Sequence, residues 1–289
     1  MSNGKLLYRF FVYFTLSILA LTVIVPVMWV FLASFKESSE FYGNPWALPE
    51  GFYIRNFIDA WNKAGMGRYL LNSATVTATA LLLLLIISVP AAFVLSRYKF
   101  FSSRFLKSFF MGGLFINVNY IVVPIFLMLV DADKFLKSAT GNTFFLNNLF
   151  VLALIYASTA LPFTIYLLSG YFVTIPKDFE EAAFVDGCDH FRMMAKIMIP
   201  MAKPSIITVV LFNFLSFWNE YIIAMTLMTK DSFKTLPVGL VALMKADNAA
   251  AQYGRMYAGL VMVMLPTLIL YICVQKKLTE GMTSGGIKG

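Results

Sequence analysis

Apolar residues gather into six runs, roughly 10–35, 70–96, 109–130, 149–172, 205–228 and 257–275, separated by more polar stretches. Each matches the ~20 residues that carry an α-helix across the hydrocarbon core of a bilayer, so the pattern predicts six membrane-spanning helices. The first run is too long for the apolar region of a secretory signal, although Leu32-Ala33-Ser34 faintly resembles a cleavage site; an uncleaved first span is expected. Pro26, Pro90, Pro124, Pro162 and Pro266 fall inside the runs. Each removes a backbone donor, and five kinked helices are the expectation. The chain shows no internal repeat, which gives no support to two inverted halves.

Composition agrees with the pattern. The 289 residues are 60% hydrophobic and 13% charged, with a mean hydropathy of +0.76; soluble domains are about half apolar and about a quarter charged. The expected fold is an all-α integral membrane domain over residues 1–289, with no room for a separate ATPase or catalytic domain. The one histidine, His190, excludes a histidine-based metal cluster, and Cys188 and Cys273 suggest no disulfide framework. The net charge of +8 is scattered among the spans, which fits a positive-inside membrane protein and argues against nucleic-acid binding.

The basic residues set an orientation. Arg97, Lys99, Arg104 and Lys107 crowd one short loop, Lys5 and Arg9 precede the first span, and Lys276 and Lys277 follow the last. With six spans these lie on one side, expected to be the cytoplasm, together with loop 173–204 and both termini. Loops 36–68, 131–148 and 229–256 then face outward.

Loop 173–204 is far longer than a turn requires and carries its own helical design. Pro176 suits a first helical position, and Asp178, Glu180 and Glu181 favour the positive end of the helix dipole. Ala182 and Ala183 leave a small-residue face, and Gly187 is the natural stop in the left-handed conformation. Asp189 can cap a second helix over 190–198, with Pro200 ending it. An amphipathic re-entry helix on the membrane is one reading. The small and acidic faces better suit a cleft on a partner protein, because anionic lipid would repel the three acids.

Glu181-Ala182-Ala183, Asp186-Gly187, Ile197 and Ile199-Pro200 resemble the "EAA" loop of inner-membrane permease subunits of ATP-binding-cassette importers, with Cys188 where alanine is more usual. The resemblance implies a type I importer permease fold: a core of spans two to six over residues 69–275, with a coupling helix in the cytoplasmic loop 174–204. It makes Glu181, Ala182, Ala183, Asp186, Gly187, Ile197 and Pro200 the contacts to an ATPase subunit. Ser34-Phe35-Lys36, Asn72-Ser73, Leu161-Pro162 and Trp218-Asn219-Glu220 look like the sugar-importing branch of that family. The tail, residues 276–289, is similar to that of the smaller permease of maltose-type importers, which implies that Ser284, Gly285 and Gly286 reach the ATPase dimer. The partners implied are a homologous second permease, two ATP-binding-cassette ATPases and an extracytoplasmic solute-binding protein. ATP and Mg²⁺ belong to the ATPases; this chain has no Gly-x-x-x-x-Gly-Lys-[Ser/Thr] loop and is expected to bind no cofactor and catalyse nothing.

A sugar pathway wants aromatic faces and hydrogen-bonding groups inside the bundle. Glu220 is the acidic residue deepest in a predicted span, flanked by Trp218, Asn219 and Tyr221, with Asn213 about two turns away; Asn117, Asn119 and Tyr120 form a second polar break in the third run. Two readings fit these residues: a substrate pathway, or interhelical hydrogen bonds that hold the bundle together. Loop 229–256, with Pro237, Gly239 and Asn248–Gln252, has the position of the loop that such permeases offer to the binding protein.

Overall fold

The computed structural model describes residues 3–42 and 44–284, and every regular element among them is helical. The long helices are α1 (Asn3–Ala33), α3 (Met66–Arg97), α5 (Val118–Thr140), α6 (Leu149–Thr174), α10 (Lys203–Trp218) and α13 (Tyr253–Ser284). Shorter ones are α2 (Arg55–Asn62), α4 (Ser103–Gly113), α7 (Asp178–Val185), α8 (His190–Met193), α9 (Ile199–Met201), α11 (Ile222–Leu227) and α12 (Leu236–Ala249).

Four helices are long and apolar enough to cross a membrane alone: Leu7–Ala33, Met66–Arg97, Leu149–Thr174 and Tyr253–Gln275. Two further crossings arise only if bent pairs count as one span each. These are Ser103–Gly113 with Val118–Thr140, bent by 100°, and His190–Met201 with Lys203–Trp218, bent by 74°. The third run is therefore not the single straight helix that hydropathy suggested; the fifth is entered through the bend at Ala202 and is interrupted between Trp218 and Ile222. All five prolines instead lie inside continuous helices.

The chain divides into two compact units. In the one formed by residues 1–67 and 239–266, the segment after α1 is tied down through Lys36. Its ammonium, fully buried, donates to the Pro45 carbonyl at 2.9 Å and sits 5.0 and 5.5 Å from the rings of Trp29 and Phe41. Such ring faces partly offset the desolvation of a cation. Asn56 on α2 donates to the carbonyls of Ser34 and Lys36, at 2.9 and 2.8 Å. Asp247, fully buried, pairs with Arg255 one side chain away in space.

The second unit, residues 68–238 and 267–289, holds two apolar clusters. One joins α3, α5, α6 and α11 around Leu84, Leu152, Tyr156 and Leu227. The other joins the ends of α3 and α6 to the polar loop through Phe93, Leu168, Phe172, Ala183, Met193 and Met198. Asn72 donates to the carbonyls of Ser232 and Lys234, and the Ser73 hydroxyl accepts from Leu236 N at 2.8 Å. Half of segment 229–256 is helix α12 rather than open loop.

Candidate functional site

The start of α5, just after the break in the third run, and the junction of α10 with α11 line one cavity. α4 ends at Gly112-Gly113, where α6 comes so close that a Cβ on Gly113 would stand 2.7 Å from the ring of Pro162, midway along α6. The chain then turns through Leu114–Ile116, and Asn117, in extended conformation, caps α5 by accepting from Asn119 N at 3.0 Å. α10 stops at Trp218, and Glu220 opens the next helix. Its two oxygens accept from Ile223 N at 2.7 Å and Ala224 N at 3.0 Å, and Tyr156 on α6 donates to it at 2.7 Å. Irregular backbone at membrane depth survives only inside protein or along a cavity.

Such a cavity lies between these ends, about 440 Å³ in volume. Its polar lining comes from Asn119, Thr159, Asn213, Ser216 and Glu220, with Tyr156, Phe163 and Phe212 supplying ring surface. The Asn213 amide donates to Thr164 Oγ1 at 3.1 Å and to the Val209 carbonyl at 2.8 Å, which leaves its oxygen unspent. Neither the Ser216 hydroxyl nor the Asn119 side chain has a hydrogen-bond partner among the described residues. The set is uncharged except for Glu220, whose carboxylate is engaged on three sides. It can exchange hydrogen bonds with hydroxyl groups and offers no cation to an anionic solute.

Of the residues singled out from sequence, Asn119, Asn213 and Glu220 line this cavity; Asn117, Tyr120, Trp218, Asn219 and Tyr221 do not. Asn117 is spent on capping, Asn219 donates to the Leu215 carbonyl at 2.8 Å, Tyr120 is exposed and Trp218 is buried. Tyr156, Thr159 and Ser216 were missed. Hydroxyls and a tyrosine in an apolar run carry little signal, and only the fold brings them opposite Glu220.

The polar loop forms a second candidate site. α7 starts at Asp178 with the three acids in its first turn, and Gly187 follows it at φ +75°. Asp189 caps α8 by accepting from Arg192 N. Pro200 does not end the second helix. A π-turn, Met194–Met198, takes up the register where proline lacks an N–H, and the coil runs on to Met201. Glu181, Ala182, Asp186, Gly187 and Pro200 are exposed; Ala183 is buried against α6 and α8, and Ile197 is half-buried on the same cluster. Ala183 therefore faces the spans, and the exposed surface includes Val185 and Phe191 instead. Ser284 ends α13, and its side chain, with Gly285 and Gly286, lies outside the described residues.

Two contacts fasten this loop that the sequence did not advertise. Arg97 pairs with Glu180 and also donates to the Phe172 carbonyl at 3.2 Å. Tyr98 OH lies 2.8 Å from His190 Nδ1. Burial raises the Tyr98 pKa, the Glu180 carboxylate raises it further and Arg97 offsets part of this, so the hydroxyl keeps its proton and bridges α3 to α8.

Comparison with known proteins places this arrangement. Residues 88–276 match the family described as "binding-protein-dependent transport system inner membrane component". The chain is 33% identical over 263 residues to the diacetylchitobiose uptake system permease protein NgcG of Streptomyces coelicolor, covering 91% of this chain and 83% of that one. It is 28% identical to the multiple sugar-binding transport system permease protein MsmG of Streptococcus mutans over the full length of both. A solved bacterial ABC transporter involved in alginate import has a chain of the same fold, with a TM-score of 0.80 at 24% identity over 96% of this chain and 98% of that one. The chain is thus a member of the binding-protein-dependent transport family, an inner-membrane component of an ATP-binding-cassette importer.

Proposed function

We propose that this chain is one permease half of an ATP-driven importer for a neutral sugar or oligosaccharide, working by alternating access. The observation that carries the reading is the cavity between the start of α5 and the α10–α11 junction, walled by aromatic rings and by hydrogen-bonding groups that are uncharged apart from Glu220. Discontinuous helices at mid-depth are a recurrent way of building a solute site in transporters. The names of the relatives point to the same solute class: diacetylchitobiose uptake for one, multiple sugars for another.

In this reading the chain crosses the inner membrane six times, with both termini and loop 174–204 in the cytoplasm and the core of the fold over 69–275. A homologous permease completes the pathway, two ATPase subunits bind ATP and Mg²⁺ below, and a solute-binding protein delivers sugar from outside. α7 and α8 are the coupling element. Glu181, Ala182, Asp186 and Gly187 touch the ATPase, Ala183 and Ile197 key the loop to the spans, and Pro200 fixes the exit toward α10. Ser284, Gly285 and Gly286 contact the ATPase pair. ATP-driven closure pulls this loop and its counterpart together, and the spans rock from inward-open to outward-open.

The test is reconstitution in liposomes of this chain with its sister permease, ATPase and binding protein, supplied with radiolabelled di- and oligosaccharides and with amino acids. ATP-dependent uptake of a saccharide is expected, and it should weaken through a raised KM in Asn213→Ala and Asn119→Ala. Uptake of amino acids alone would overturn the sugar assignment. Uptake without ATPase would overturn the importer.

A further inference from the structure

The transport reading leaves unused a groove of the second unit. α3, α4 and α6 enclose a cavity of about 430 Å³ lined by Leu95, Phe110, Met111, Ile165, Tyr166 and Gly170. Its two serines are already satisfied: Ser96 donates to the Phe93 carbonyl at 2.9 Å and Ser169 to the Ala92 carbonyl at 3.4 Å. The interior therefore makes no demand for a polar ligand. Lys107 also lines the groove and is itself exposed. Arg104 stands three residues earlier, on the same face of α4. Neither cation has a carboxylate or carbonyl partner among the described residues.

A long apolar slot with two unneutralised cations beside it is complementary to an amphiphile with a negative head. We propose that this groove binds an anionic phospholipid, one acyl chain lying along Leu95, Ile165 and Met111 and the phosphate held by Lys107 and Arg104. Basic pockets between spans on the cytoplasmic side suit such headgroups, and each buried methylene adds to binding. The groove lies near the ends of α3 and α6 that carry the polar loop, so an occupant would brace the loop's support from the lipid side.

Gly170 makes the test clean. Gly170 lines the groove and a Cβ there meets nothing within 4 Å, so a side chain can be placed at this position without a collision at Cβ. The full-length chain, purified in mild detergent with the subunits that accompany it, would be titrated with phosphatidylglycerol and with phosphatidylcholine of identical chains. Bound lipid is read by native mass spectrometry. Phosphatidylglycerol is expected to bind about tenfold more tightly. The double variant Arg104→Gln/Lys107→Gln should lose that preference, while Gly170→Leu, inside α6, should weaken both lipids without lowering the melting temperature. Equal binding of the two lipids to the parent, or no effect of either variant, would overturn the proposal. So would efficient cross-linking of Gly170→Cys to another protein subunit, which would make the groove a protein interface.

Discussion

Arg97, the last residue of α3, and Glu180, in the first turn of α7, form an ion pair with only 5% and 13% of their side chains exposed. The neighbouring Glu181 points the other way and is exposed. Two adjacent carboxylates are thus divided in labour, one holding the loop to a span and the other free for a partner. Arg97 also donates to the Phe172 and Pro176 carbonyls, at 3.2 and 3.5 Å, so one side chain gathers the end of α6, the approach to α7 and α7 itself. Arg97 thus links the loop directly to the end of α3.

Removing one member of a buried pair leaves the other desolvated and alone, at a cost of about 3–5 kcal/mol. Arg97→Ala should therefore lower the melting temperature of the purified complex and strongly reduce sugar-stimulated ATP hydrolysis. Arg97→Lys should recover part of the stability but lose the fork of carbonyl contacts. Glu181→Gln should leave melting unchanged while still reducing stimulated hydrolysis. A Glu181→Gln variant as unstable as Arg97→Ala would show that the division of labour is wrong.

Gly187 carries a different constraint. At φ +75° its Cβ would find open space, so the penalty for a side chain is backbone strain, not collision. The left-handed conformation costs an ordinary residue about 1–2 kcal/mol, and asparagine tolerates it best. Gly187→Asn should consequently retain more stimulated ATP hydrolysis than Gly187→Val at matched expression. Equal loss in both would point to steric exclusion from the partner and not to the turn.

The sequence made the helical class, the membrane setting and the polar loop legible, because each rests on a signal repeated over many residues. The break in the third run and the interruption between α10 and α11 were not. Trp218-Asn219-Glu220-Tyr221 has no proline or glycine, and a hydropathy window reads straight through it. What stops α10 is a long-range fact: Glu220 can abandon helical register because Tyr156, sixty-four positions earlier, completes its hydrogen bonding. The prolines Pro26, Pro90, Pro124, Pro162 and Pro266 misled in the opposite sense, since each lies within a continuous helix. Pro200 misled likewise, its missing donor taken up by the π-turn before it. Asn117 did carry a local signal, an Asn-x-Asn cap just after Gly112-Gly113, but the surrounding apolar residues outweighed it.

Glu220 also separates the two readings of the intramembrane polar residues. As the acceptor for Ile223 N, Ala224 N and Tyr156 OH it holds α11 in place, and a buried donor left without a partner costs about 1–3 kcal/mol. Glu220→Ala should thus destabilise the complex well beyond Asn213→Ala or Asn119→Ala. Tyr156→Phe, which removes one of the three bonds and keeps the ring stacked on Phe217 at 5.5 Å, should cost less. Glu220→Gln tests whether charge matters to the solute, since the amide oxygen can still accept from one of the two α11 N–H groups, at a modest cost because its NH2 then faces the other. If its melting temperature stays near the parent value and the KM for sugar rises, Glu220 both caps the helix and lines the path. If melting falls and KM does not move, its role is to hold the broken span together, and the solute is read by Asn119, Asn213 and Ser216 instead.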